Sequence, residues 1–126
     1  MAASSGRTIL VADDNPDQRA LYVDILTHAG YAVIEARDGN EAIQRAREDR
    51  PALILMDVTM PGTSGWNAVR AVRDQVETSG IPVIVITGLT ATRDRDASFA
   101  AGSDAYLSKP VSPRRLLEEV RRFVPQ

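Results

Sequence analysis

Residues 53–57, Leu-Ile-Leu-Met-Asp, place four apolar side chains directly before a carboxylate. A short apolar run without alternation is typical of a strand that is buried on both faces of a parallel sheet. Residues 9–11 (Ile-Leu-Val) and 83–86 (Val-Ile-Val-Ile) have the same character. The three runs therefore predict the central strands of one sheet.

Amphipathic stretches separate the apolar runs, and this alternation predicts an α/β fold with a parallel sheet. The predicted strands are Thr8–Ala12, Ala32–Ala36, Leu53–Asp57, Val83–Thr87 and Ala105–Lys109, and the predicted helices are Pro16–Ala29, Glu41–Arg50, Ser64–Asp74, Arg93–Ala101 and Pro113–Phe123. The second and fifth strands carry polar residues, which suits sheet edges. Right-handed crossovers then favour the order 2-1-3-4-5 of a flavodoxin-like, doubly wound (βα)5 fold.

Length and composition limit the function. A chain of 126 residues is the size of one domain, and we predict a flexible tail over 1–7 and a folded domain over 8–124. The net charge of -2 gives no electrostatic case for binding nucleic acid, and the absence of cysteine excludes thiol chemistry and cysteine-bound zinc. No run approaches the roughly 18 apolar residues of a membrane span. We therefore expect a cytoplasmic protein without a membrane or nucleic-acid partner.

Carboxylates follow two neighbouring strands at the edge of the sheet where ligands bind in this topology. Asp13 and Asp14 come after the first strand, and Asp57 ends the third. Acids after strands are often solvated or cap helices, which is the alternative for Asp13 and Asp14. Three carboxylates close together repel one another, however, and a hard divalent cation such as Mg²⁺ is the simplest way to neutralise them.

Thr87 and Lys109 end the fourth and fifth strands and so belong to the same edge. Threonine is also an ordinary strand residue, and a lysine can extend from a sheet edge into solvent. Chance alone, however, is a poor explanation for five polar residues that all fall at the carboxyl ends of strands. A hydroxyl and an ammonium are the donors that a bound phosphoryl group requires, so the set favours a phosphoryl site.

This ordered set of residues resembles the receiver domain of two-component response regulators. The segments that carry the resemblance are Asp13-Asp14, Leu55 to Gly62, Thr87 and Tyr106 to Pro110, and the match runs from about Thr8 to Phe123. The resemblance implies that Asp57 accepts a phosphoryl group from the phosphohistidine of a sensor histidine kinase or a histidine phosphotransfer protein.

The resemblance also implies the metal ligands. Asp14, Asp57 and the backbone carbonyl of Thr59 would bind Mg²⁺ directly, and Asp13 would act largely through water. Gly88 departs from the family, which more often has alanine there, and Thr59 and Leu89 stand at positions that in the family tune the access of the hydrolytic water.

Switching roles follow from the same resemblance. Lys109 would contact the phosphoryl oxygens, Thr87 would reorient towards them, and Tyr106 would turn inward in the active state. A downstream protein would bind the surface formed by the predicted helix Arg93–Ala101, the fifth strand and the last helix. We expect a single-domain regulator, monomeric or weakly dimeric, that catalyses only its own phosphorylation and dephosphorylation.

Four other functions fit less well. A flavodoxin would not place two carboxylates where the cofactor phosphate binds, and a dinucleotide enzyme would have a Gly-x-Gly-x-x-Gly turn after the first strand. A phosphatase with an aspartate nucleophile usually has a second Asp two residues later, where Thr59 stands. A receiver-like fold used only for protein binding would not retain every phosphotransfer residue.

Overall fold

A computed structural model describes residues 7–57, 65–88, 96 and 99–125. Five strands form one parallel sheet, and they are β1 (Thr8–Ala12), β2 (Ala32–Ala36), β3 (Leu53–Asp57), β4 (Val83–Thr87) and β5 (Ala105–Ser108). Their order is β2-β1-β3-β4-β5, which confirms the predicted topology. Lys109 lies just beyond β5 rather than inside it, although its amide still donates to the Thr87 carbonyl oxygen at 2.8 Å.

Helices connect or follow the strands, and those whose bounds lie within the described residues are α1 (Pro16–His28), α2 (Gly39–Asp49), α3 (Gly65–Asp74) and α4 (Pro113–Phe123). Asn15, Asp38 and Ser112 cap α1, α2 and α4 by accepting a backbone amide in the first turn. The cap at Asp38 starts α2 at Gly39, two residues before the predicted Glu41. Of the predicted helix 93–101, residues 96 and 99–101 are helical, and the others lie outside the described residues.

Two apolar cores cover the two faces of the sheet. Every residue of β1, β3 and β4 is buried, and because strand side chains alternate, each of these strands contributes to both cores. Helices α2 and α3 pack on one face, and α1 and α4 pack on the other. The outer strands β2 and β5 have exposed positions, as predicted for edges. No described helix has the length and apolarity to cross a bilayer.

Arg73, in the last turn of α3, fixes the chain around the start of β4 and β5. Its guanidinium donates to the carbonyl oxygens of Ser79 and Ile81, and its Nε donates to that of Gly102 at 2.7 Å. Gly102 has a φ of 112°, and a Cβ added there would lie 2.6 Å from the Cγ of Arg73. Both the backbone conformation and the close approach of Arg73 therefore require glycine.

We predict that Gly102→Ala lowers the free energy of unfolding by about 2 to 3 kcal/mol, because it combines backbone strain with a collision. Gly30→Ala should cost about 1 kcal/mol, since Gly30 has a φ of 99° but a Cβ there would lie 3.5 Å from Arg7 Nη2, an ordinary contact distance. Gly80→Ala is the matched control, because nothing lies within 4 Å of a Cβ there. Urea unfolding curves measure all three, and equal losses at Gly102 and Gly80 would contradict the argument.

Candidate active site

Three carboxylates meet at the carboxyl ends of β1 and β3. These strands are neighbours, with Ala12 paired to Met56, so the residues that follow them emerge side by side. One oxygen each from Asp13, Asp14 and Asp57 lies within 4.8 Å of the others. Asp13 and Asp57 are buried, whereas Asp14 is exposed. The structure thus brings together the three acids that the sequence pattern singled out.

Asp13 is the most constrained of the three. Its Oδ1 accepts the backbone amide of Asn15 at 2.9 Å, while its buried Oδ2 has no hydrogen-bond partner among the described residues. Burial is the main reason that the pKa of Asp13 rises from 3.8 to about 6; the nearby charge of Asp57 raises it further, and the Asn15 amide and Lys109 oppose the rise. A buried carboxylate oxygen without a partner is costly, so this atom is suited to contact a cation or a water molecule.

Lys109 forms an ion pair with Asp57. Its Nζ lies 2.9 Å from Asp57 Oδ2, and the Asp57 side chain is only 3% exposed. The same Nζ donates to Gln18 Oε1 at 3.0 Å. The peptide bond between Lys109 and Pro110 is cis. Lys109 therefore lies at the same edge of the sheet as the acids, as the sequence pattern predicted, and the structure adds its ion pair with Asp57.

The two residues predicted to act as switches lie on β4 and β5. Thr87 ends β4 and is fully buried, and β4 pairs directly with β3, which ends in Asp57. Tyr106 pairs with Val85 and is half-buried against the core that α2 and α3 cover. Thr59 and Leu89 lie outside the described residues.

Residues of α1 complete the site, and the sequence pattern did not single them out. Gln18 accepts a hydrogen bond from Lys109 through its Oε1, and its Nε2 donates to the hydroxyl of Tyr22 at 3.3 Å. Helix α1 therefore contacts Lys109 through Gln18. Burial raises the pKa of Tyr22 to about 12, helped by the charges of Asp13 and Asp57, so its hydroxyl keeps its proton. Arg19 donates to the Asp13 carbonyl oxygen at 2.7 Å. All three residues lie in the first two turns of the helix that follows Asp13 and Asp14, and this position is the sequence feature that could have pointed to them.

Comparison with known proteins gives one consistent result. The model of the response regulator receiver domain matches residues 9–121. The polar-differentiation response regulator DivK of Brucella anthropi is 35% identical over 118 residues, which is 94% of this chain and 96% of that protein.

Solved structures agree. The chemotaxis protein CheY4 of Vibrio cholerae superposes with a TM-score of 0.87 at 34% identity, covering 92% of this chain and 97% of that one. The receiver domain of a sensor histidine kinase from Pseudomonas aeruginosa has a TM-score of 0.87 at 31% identity, covering 96% of this chain and 99% of that one. That structure has a magnesium ion coordinated in its active site cleft.

The strand order, the acids beyond β1 and β3 and the lysine beyond β5 therefore occur in a chain that the receiver model matches over most of its length. Neither a flavodoxin nor a dinucleotide enzyme accounts for this combination. The chain belongs to the response regulator receiver domain family.

Proposed function

We propose that this protein accepts a phosphoryl group on Asp57 from a phosphohistidine of a histidine kinase or a histidine phosphotransfer protein. An Asp57 carboxylate oxygen would form a bond to phosphorus as the bond between phosphorus and the donor's imidazole nitrogen breaks. The observation that carries this proposal is the ion pair between Asp57 and Lys109, set beside the unpartnered oxygen of Asp13. The protein would act on itself alone, catalysing its own phosphorylation and dephosphorylation.

The acid cluster suits a Mg²⁺ ion. Its three carboxylates are hard oxygen ligands within 4.8 Å of one another, and Asp13 Oδ2 lacks a partner among the described residues. We infer from the family resemblance that Asp14, Asp57 and the backbone carbonyl of Thr59 would hold the ion directly, and that Asp13 would act largely through water. When bound, the ion supplies positive charge to the phosphoryl oxygens.

The protein's own residues would provide the remaining electrostatics. Lys109 places a positive charge at Asp57 Oδ2, where it both screens the approach of an anionic donor and meets the oxygens of the transferred group. Burial of Asp57 strengthens this interaction, because few waters screen it. Thr87, at the end of the adjacent strand, would donate its hydroxyl to the phosphoryl group.

A downstream protein would bind the face made by residues 99–101, β5 and α4. A cleft of about 600 Å³ opens there, lined by residues that include Phe99, Tyr106, Val111 and Arg115. Phe99 lines this cleft and is 43% exposed, so it offers apolar area to a partner that binds there. We propose a monomeric or weakly dimeric state and a cytoplasmic location.

Asp57→Asn should abolish phosphorylation, because it removes the carboxylate nucleophile while keeping the size of the side chain. Intact-mass measurement after incubation with acetyl phosphate and Mg²⁺ should show one added phosphoryl group on the wild type and none on the variant. Asp49→Asn is a control, since Asp49 is an exposed acid at the end of α2. Labelling of Asp57→Asn at the wild-type level would refute the assignment.

Chelation provides an independent check on the metal. EDTA should prevent labelling of the wild type, and excess Mg²⁺ should restore it. Asp14→Ala should weaken Mg²⁺ binding more than Asp13→Ala does, because Asp14 would ligate the ion directly. Full labelling in EDTA would exclude a role for the metal.

Asp13 should make the metal-free protein less stable as pH rises. Its pKa is about 6 when folded and near 3.8 in its unperturbed state, so between these values the folded state binds more protons. Stability is therefore lost as pH rises from about 4 to about 7, by up to about 3 kcal/mol. Asp13→Asn should lack this loss and exceed the wild type at pH 7 in EDTA. Urea unfolding at pH 4.5 and pH 7.5 tests this, with exposed Asp14→Asn as the control; a constant difference between Asp13→Asn and wild type would contradict it.

Tyr106→Ala should leave phosphorylation of Asp57 largely intact but weaken the structural change that phosphorylation causes around β5. Tyr106 lies on β5, which pairs with the strand of Thr87, and its ring packs against the core and also lines the cleft of about 600 Å³. The ring therefore connects the core with the proposed binding face. We expect labelling of Asp57 to stay within about twofold of wild type, because the ring supplies no group to the reaction. Amide shifts induced in residues 99–108 by the phosphoryl mimic beryllofluoride should become much smaller. Wild-type spectra that show no shifts in this region would exclude this route.

A further inference from the structure

Among the described residues, the Lys109 ammonium has two hydrogen-bond acceptors, and they belong to different parts of the fold. Its Nζ lies 2.9 Å from Asp57 Oδ2, at the end of β3, and 3.0 Å from Gln18 Oε1, in α1. Gln18 Nε2 in turn donates to the hydroxyl of Tyr22, one turn further along α1. The three contacts form a chain that runs from the acid site to a buried tyrosine.

The chemistry of these groups fixes the orientation of the Gln18 amide. An ammonium has only protons to offer, so the amide oxygen must face Lys109. The amide NH2 group then faces Tyr22, whose hydroxyl oxygen accepts one of its protons. Tyr22 is 5% exposed and holds its place in the core beneath α1, so it anchors the amide.

The Lys109 ammonium needs a second contact to stay at Asp57, because there is open space beside it. A cleft of about 370 Å³ adjoins the lysine and is lined by Gln18, Leu21, Tyr22, Lys109, Pro110 and Val111. Lysine has a flexible four-carbon stem, and with Asp57 as its sole acceptor the ammonium could swing into this cleft and become hydrated. Gln18 stands at the boundary between the cleft and the acid site.

We propose that Gln18 is a positioning residue that holds the Lys109 ammonium at Asp57 for phosphoryl transfer, with Tyr22 fixing the orientation of the Gln18 amide. This inference rests on the proposed function. The ammonium has three protons, so the contact with Gln18 leaves others for Asp57 and a phosphoryl oxygen. A neutral acceptor suits this role, because a carboxylate at the same place would compete with the phosphoryl group for the lysine's charge.

Rates of labelling by acetyl phosphate at saturating Mg²⁺ test the proposal without a partner protein. Gln18→Met keeps the length of the side chain but removes the acceptor, and we expect labelling to slow by roughly threefold to tenfold, as the loss of one hydrogen bond to a charged group suggests. Gln18→Glu should also slow it, and Tyr22→Phe should slow it less. Gln44→Met, at an exposed position of α2, is the matched control and should label at the wild-type rate.

Combination with Lys109→Met separates positioning from a general structural effect. If Gln18 acts through Lys109, Gln18→Met should slow labelling no further in a Lys109→Met protein. A full additional loss in the double variant would overturn the proposal, as would a wild-type rate for Gln18→Met.

A measurement without phosphoryl donor or metal distinguishes failure of this inference from failure of the proposed function. The side-chain amide resonances of Gln18 should shift on Lys109→Met, and those of Gln44 should not. Absence of labelling in the wild type would refute the proposed function and with it the role in transfer. Unmoved Gln18 resonances would instead overturn the contact with Lys109, whatever the labelling shows.

Discussion

Burial of β1, β3 and β4 on both faces is the constraint on which the active site depends. Strands without a solvent face must lie inside the sheet, and parallel strands all point their carboxyl ends to one edge. The buried strands end at that edge, where the chain returns to solvent and can carry polar residues. Asp13 and Asp14 meet Asp57 there, although more than forty residues separate them in sequence. The helices that cover the cores also set the walls of the site, since α1 brings Gln18 and Tyr22 to Lys109.

The same burial gives the site its electrostatic character. Asp13 and Asp57 are nearly inaccessible to water, so each charge acts on its neighbours with little screening. Lys109 balances part of the negative charge, and Asp13 Oδ2 has no hydrogen-bond partner among the described residues. Such an arrangement is typical of a site whose protein groups are placed in advance for an anionic group and a cation.

Prediction from sequence succeeded where one physical effect dominates. The bounds of β1 to β4 were predicted correctly, because apolar runs define β1, β3 and β4 and a mixed run of apolar and polar residues defines the edge strand β2. The acid cluster followed from the strand order. The start of α2 was wrong by two residues, since the capping power of Asp38 outweighs the low helix propensity of Gly39. Gln18 was missed because a polar residue early in a helix usually faces solvent. Its contact depends on the length and direction of the Lys109 side chain, which no local pattern encodes.

The outer edge of β2 carries a further consequence. Glu35 lies on this open strand with half of its side chain exposed, and a charge at a sheet edge discourages pairing with a strand of another molecule. Arg19 binds Glu35 at 2.9 Å and also donates to the Asp13 carbonyl oxygen. Arg19 therefore connects Glu35, at the edge of the sheet, with the turn that carries Asp13 and Asp14. Resistance to aggregation and the geometry of the acid turn are thus tied to the same ion pair, and a neutral residue at Glu35 would weaken both together.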